Sequence, residues 1–183
     1  MKFLLEGQST DRLLFRKIDA SDFQHWLKFF QDPRTSVHWV EEKISPELTC
    51  ENWYQKQQWR YENNKGGMNA LIEKTSNQLI GHAGLLVQTV DGVEELEIGY
   101  SLLPEFWNKG YATEAAATCK HFAFQNNFTD SLISIISVTN TQSQQVASKN
   151  GMAVEKKTRY RNNEVFIYRI RRADWLQSLP LIK

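Results

Sequence analysis

The chain has 183 residues, a formal net charge of +1, 41% hydrophobic and 23% charged residues, and reads as one soluble globular domain over 1–183, a composition that argues against disorder. At this length a single core buries roughly 70% of the unfolded surface, and six Trp and ten Phe supply bulk for it. The near-neutral charge argues against a strong nonspecific grip on nucleic acid or an anionic membrane.

The opening MKFLLEGQ has a three-residue apolar run before Glu6, too short for a signal-peptide core or an anchor. No apolar run of membrane-spanning length follows, so a cytoplasmic location is expected. Leu13 to Ile18 reads as a strand, after which Asp19 or Ser21 caps a helix to about Phe30 with Phe23, Trp26, Leu27 and Phe30 on its apolar face. A break at Asp32-Pro33 precedes a second helix from about Pro46 to Asn63. Its Trp53, Tyr54, Trp59 and Tyr61 lie on more than one face, as in a pocket wall or a helix partly covered by its neighbours. Strands follow at Ala70 to Glu73 and Leu79 to Val87, and Asp91-Gly92 marks a tight hairpin. Leu96, Ile98, Tyr100 and Leu102 then alternate with Glu95, Glu97, Gly99 and Ser101, a strand with two chemically distinct faces.

That strand runs into PEFWNKGYATEAAA, Pro104 to Ala117, a glycine-containing loop opening an alanine-rich helix. Ala115, Ala116, Cys119, Phe122 and Ala123 have the spacing of a buried helical face. A helix N-terminus leaves N–H groups unpaired and carries about half a positive charge, so the segment reads either as an anion site or as an ordinary strand-to-helix turn. A strand at Leu132 to Val138, a helix from Asn140 to Asn150 ended by Gly151 and a hairpin at Asn162-Asn163 complete the order. The strand-helix-strand step implies a parallel pair in an otherwise antiparallel α/β sheet, unlike a doubly wound fold. Cys50 and Cys119 show no CxxC spacing and read as free thiols. His25, His38, His82 and His121 show no ligand spacing, so no metal site is expected.

Three blocks in this order resemble the GNAT superfamily of acetyl-CoA-dependent N-acetyltransferases, and within it the branch that acetylates ribosomal-protein N-termini. They are TDRLLFRKIDASDF from Thr10, LEIGYSLLPEFWNKGYATEA from Leu96, and NTQSQQVASKNGM from Asn140, with Arg169 to Trp175 similar to the family's end. The resemblance implies an α+β fold, with a mainly antiparallel sheet, a parallel strand pair splayed around acetyl-CoA, and helices on both faces. The family's Q/RxxGxG/A pyrophosphate loop falls on Trp107, Asn108, Lys109, Gly110, Tyr111 and Ala112, with Thr113 in the first helical turn. Trp107 stands where Gln or Arg is usual and Asn108 where glycine is frequent, which puts the shape of the loop in question. Lys109 is placed to meet a CoA phosphate or to remain solvated. Backbone N–H groups around Ile98, Tyr100, Leu102 and Leu103 are implied to hold the pantetheine arm and acetyl carbonyl.

Acetyl transfer needs a neutral amine, a donor for the oxyanion and a route for protons. Glu97 is the expected base, with Glu95 on the same face as runner-up, although a solvated strand carboxylate would show the same alternation. Ser143 matches the family's NxxS serine, implied to donate to the departing thiolate, and Asn140 the asparagine that contacts the cofactor arm; both residue types are also ordinary helix caps. A covalent route through Cys119 is disfavoured by its apolar setting. Asp91 to Glu105 holds five acids and no Lys or Arg, while Lys149 to Arg172 holds eight basic residues and two acids. The acidic strand is expected to attract a cationic amine, and the basic hairpin to meet CoA phosphate, an acidic partner, RNA or only water. The expected acceptor is a primary amine, a protein N-terminus or a small molecule, with Thr35 to Gly67 shaping its pocket; a homodimer is left open. A noncatalytic acyl-CoA-binding module is the alternative, and an RNA-binding protein ranks last.

Overall fold

The computed structural model describes residues 2–40 and 44–179. Strand β1 (Leu13–Arg16) leads to a single 3-10 turn at Ala20–Asp22 and then α1 (Phe23–Gln31). Asp19 and Asp22 cap that turn reciprocally, each side chain accepting from the other's end of the turn, which fixes where the chain starts to coil. Helix α2 (Pro46–Glu62) has the bounds its sequence announces: Ser45 accepts from the Leu48 N–H, Pro46 needs no partner for its nitrogen, and Asn63 closes the far end.

Strand β2 (Gly66–Glu73) begins four residues before the expected Ala70. Gly66 and Gly67 look like chain breakers, yet both are paired with β3 (Gln78–Val90). A Cβ on Gly66 would lie 1.9 Å from the Leu85 carbonyl oxygen, so a side chain is excluded there by the neighbouring strand. Asp91 (φ +49°) and Gly92 (φ +80°) make the expected tight turn into β4 (Val93–Leu102). Helix α3 (Tyr111–Gln125), β5 (Ser131–Ser137), α4 (Thr141–Lys149), β6 (Ala153–Tyr160) and β7 (Asn163–Arg171) follow as anticipated, with Gly151 left-handed at φ +79° after α4. A further helix, α5 (Arg172–Ser178), leaves β7 without a loop and seats Trp175 against Phe124.

The seven strands form one sheet in the order β1-β2-β3-β4-β5-β7-β6. Every neighbouring pair is antiparallel except β4 and β5, which run parallel and share one rung, Glu97 opposite Ile133. Beyond that rung the two strands diverge into a notch. Helices α3 and α4 cover one face, burying Ala115, Ala116, Cys119 and Ala147 against Leu85, Ile98 and Leu132. Helices α1 and α2 cover the other, burying Trp26 and Cys50 against Ala70, Ile72 and Leu79. Burial lifts the Cys50 thiol to about 11 and Cys119 higher still, which leaves both as inert core thiols. His82 is a core histidine between Trp26 and Trp53, and burial lowers its pKa to about 3. No helix among the described residues is long and apolar enough to cross a membrane.

Candidate active site

The loop between β4 and α3 leaves a run of main-chain donors unpaired among the described residues. Leu103 to Trp107 form one 3-10 turn, Asn108 (φ +59°) and Gly110 (φ +84°) are left-handed, and the first helical bond runs from the Glu114 N–H to Gly110 O at 3.1 Å. Asparagine reaches the left-handed region more readily than other side chains, so Asn108 keeps the course a glycine would give. No side chain caps α3. Among the described residues, the backbone N–H groups of Asn108, Lys109, Gly110, Tyr111, Ala112 and Thr113 reach no protein acceptor. Successive free N–H groups at a helix N-terminus are what a pyrophosphate requires.

The loop is braced from below. Arg12 donates from Nη1 to Lys109 O at 2.9 Å and from Nε to Glu114 Oε2 at 2.7 Å, and its guanidinium lies 4.4 Å from the Tyr111 ring centroid. Thr10 donates to the other oxygen of Glu114. The indole Nε1 of Trp107 donates to Leu102 O at 2.7 Å, so Trp107 ties the loop to the strand end through its side chain. Lys109 Nζ lies over the Phe106 ring at 5.3 Å.

The notch supplies the second part of the site. The Leu103 N–H donates to Ile80 O at 3.0 Å, and antiparallel alternation from that bond turns the main chain of odd-numbered β4 residues toward β3. Ile98, Tyr100 and Leu102 therefore turn their main chain toward β5, where one rung exists, with the Leu102 carbonyl also accepting from Trp107 Nε1. Ile98 closes the apex, its carbonyl accepting from Ser134 Oγ at 2.9 Å. Leu103 does not join this row: its N–H is held by Ile80, its C=O accepts from Phe106 N, and its side chain is buried on the α1–α2 face.

Glu97 sits at the apex and is 9% exposed, not the solvated carboxylate that strand alternation allows. It accepts from Gln88 Nε2 at 2.7 Å and from the Ile135 N–H at 3.4 Å, taking a bond a neighbouring strand would otherwise provide. Burial pushes its pKa up, opposed by those hydrogen bonds and by the charges of Arg60 and Arg161. Glu95 has a different fate: Arg169 grips it with Nη2 to Oε1 at 2.6 Å and Nη1 to Oε2 at 3.1 Å. A carboxylate whose two oxygens are both held by one guanidinium is not free to reach an incoming amine, which separates the two glutamates.

Ser143 and Asn140 lie on the opposite face from Glu97. Asn140 Oδ1 accepts from the Ser143 N–H at 3.0 Å, so its oxygen serves as the cap of α4. The Tyr100 hydroxyl donates to the Ser143 carbonyl at 3.1 Å, and burial raises its pKa to about 12. The Ser143 side chain also interacts with the Tyr100 hydroxyl. The two predicted catalytic side chains thus do not touch; they flank the notch from its two sides.

The expected acidic field is largely quenched. Asp91 pairs with Lys156 at 2.7 Å, Glu94 with Lys65 at 2.7 Å, and Glu95 with Arg169, which also holds Glu155 at 2.8 Å. The acidic strand and the basic hairpin, separate in sequence, neutralise each other in space. Behind Glu97 lies a cavity of about 520 Å³ lined by Trp59, Arg60, Lys65, Gln88, Tyr160 and Arg161 among others. Gln88 links it to Glu97, its Oε1 accepting from Arg60 Nη2 at 2.9 Å and Tyr160 Oη at 3.1 Å. Sequence reasoning missed Arg60, Gln88 and Tyr160, whose only signal is a register that the fold reveals. The segment Thr35 to Gly67 does contribute to this face: Trp59, Arg60 and Lys65 line the cavity, and Val40 exchanges hydrogen bonds with Asn163. Its Glu41, Glu42 and Lys43 lie outside the described residues.

Residues 12–153 match the family model described as "Acetyltransferase (GNAT) domain". The chain belongs to the GNAT acetyltransferase family. The uncharacterized N-acetyltransferase YnaD of Bacillus subtilis (strain 168) is 28% identical over 177 residues, covering 91% of this chain and 98% of YnaD. Among solved structures, an acetyltransferase from Agrobacterium tumefaciens superposes with a TM-score of 0.77 at 21% identity, over 93% of this chain and 97% of the other. The ribosomal L7/L12 alpha-N-protein acetyltransferase RimL, solved with coenzyme A, has a TM-score of 0.72 at 15% identity, over 90% and 97%. At these identities the superpositions speak for the fold, and they include the branch that the sequence blocks resemble.

Proposed function

We propose that this GNAT chain, one domain over 1–183, transfers the acetyl group of acetyl-CoA directly to a primary amine, either a protein N-terminus or a small molecule. The observation that carries this reading is the row of six free N–H groups from Asn108 to Thr113 leading into the open β4–β5 notch. When bound, acetyl-CoA supplies an activated acetyl thioester. The Asn108–Thr113 amides would hold its pyrophosphate, and the Tyr100 and Leu102 main chain, with Ile98 at the apex, its arm and acetyl carbonyl.

Glu97 takes the proton the attacking nitrogen loses as its C–N bond forms, directly or through water. Its raised pKa makes it a better acceptor than an exposed carboxylate. The Ser143 hydroxyl, which also meets the Tyr100 hydroxyl, would donate to the sulfur as the C–S bond breaks. Placement on opposite faces lets the amine enter from the α2 side while the thiol leaves toward α4. RimL, which by its name acetylates a protein N-terminus, makes that acceptor class one to screen.

Calorimetric titration with acetyl-CoA, comparing the native chain with Gly110→Asp, tests the cradle. The variant introduces a carboxylate at a left-handed position whose Cβ would sit 3.3 Å from Arg12, so circular dichroism must show that it remains folded. Native binding lost in the folded variant is the expected result, followed by thiol release with an amine panel. Turnover that falls in Glu97→Gln and Ser143→Ala more than acetyl-CoA affinity supports the assigned roles; unchanged turnover in both removes them.

A further inference from the structure

Building on the acetyl-transfer reading, we propose that the acceptor carries a negatively charged group besides its amine, and that the cavity between α2, the β3–β4 turn and the β6–β7 turn receives that group. The lining holds four cations, Arg60, Lys65, Arg159 and Arg161, against the two carboxylates Asp91 and Glu94. Both carboxylates are already matched, Glu94 by Lys65 and Asp91 by Lys156. Arg159 and Arg161 have no carboxylate partner among the described residues. Among the described residues, the cavity wall is thus left with positive charge that no carboxylate matches.

Arg60 sharpens the point. It is 4% exposed, and its three hydrogen bonds go to neutral acceptors: Lys65 O at 3.0 Å, Val87 O at 3.1 Å and Gln88 Oε1 at 2.9 Å. Its Nε has no acceptor. Buried guanidinium groups are normally paired with an anion. The carboxylate whose charge it feels is Glu97, one glutamine side chain away. Once Glu97 accepts a proton in the reaction, that balancing charge is gone. An anionic group on the acceptor would supply it, beside an amine that neighbouring cations keep neutral and therefore nucleophilic. Tyr160 and the half-exposed ring of Trp59 offer a hydroxyl and an apolar wall to the rest of the molecule. A polycationic amine meets repulsion in the same place.

The test uses the full chain at saturating acetyl-CoA and compares kcat/KM for aspartate and glutamate, for peptides beginning with Asp or Glu, for the amidated counterparts of each, and for spermidine. The acids should exceed their amides by about tenfold or more, the size of one charge-assisted contact, and that ratio should fall toward one in Arg159→Gln and Arg161→Gln. Preference for free amino acids or for peptides identifies the source of the charge. Equal or faster turnover of the amides or of spermidine overturns the inference and leaves acetyl transfer intact. If no amine turns over although acetyl-CoA binds, the transfer reading fails, and the cavity is judged by calorimetry with glutarate. Saturable binding weakened in the arginine variants supports an anion subsite, and no binding overturns it.

Discussion

Glu97 is in conflict with its surroundings, and that conflict is measurable. Its folded-state pKa is raised by burial, so the folded chain holds a proton there at pH values where the unfolded chain has lost it. Stability from this group is therefore greatest at low pH and declines as pH rises from the ordinary carboxylate value through the raised one. Glu97→Gln removes that loss, so its stability relative to the native chain should improve with rising pH across that window, as followed by urea unfolding. Turnover should move the other way: kcat falls by about 10²-fold or more, and the native acid limb in kcat/KM, which reports the same carboxylate, disappears. A structural role alone would lower stability without removing the limb. The residue was legible from its block, but its burial was not, because the α2 and hairpin residues that cover it lie tens of positions away in the chain.

At the scale of elements, α2, the Asp91-Gly92 turn and α4 were readable because their ends carry their own signals: Ser45-Pro46, a glycine turn, and Asn140 with Gly151. The start of β2 and the whole of α5 were not. Gly66 leaves no room for a side chain because β3 lies against it and Gly67 because the Tyr61 ring does, and α5 is a short helix with no side-chain cap to announce it. The same limit hid the link between β1 and the cradle. Arg12 lies far in sequence from the loop that marks the expected ligand site, yet it holds Lys109 O, Glu114 and the Tyr111 ring together. Arg12→Ala should weaken acetyl-CoA binding by about threefold to tenfold, as expected for losing one or two exposed charge-assisted hydrogen bonds, while the kcat at saturating acetyl-CoA changes little. Titration calorimetry beside steady-state kinetics separates the two.

For the whole molecule, the segregation of charge along the chain reads as steering but mostly serves assembly. Asp91 to Lys156 and Glu94 to Lys65 are exposed pairs, so Lys156→Ala should alter stability by under about 1 kcal/mol. Arg169 joins β7 to Glu95 on β4 and Glu155 on β6, with side-chain exposure of 13%. Arg169→Met strands Glu95, leaves Glu155 only its 3.9 Å pair with Arg171, and should cost about 2–4 kcal/mol in denaturant unfolding. Similar costs for both variants would mean that the pairing across the sheet contributes less than its geometry suggests. No composition argument reaches this distinction, since it depends on which charges the fold shields from water.

The single rung between β4 and β5 also bears on solubility. Past Glu97 and Ile133 the sheet has two interior strand edges with unmatched main-chain groups, the kind of surface that recruits strands from other chains. Here the edges converge on a closed apex, where Ser134 and Glu97 already occupy the last bonding positions. A slender chain that carries amides but no side chains, as the arm of coenzyme A does, could pair with the edges. On the proposed reading, the opening that would admit the cosubstrate would also discriminate against protein strands, by favouring backbone-like hydrogen bonding from a chain without side chains.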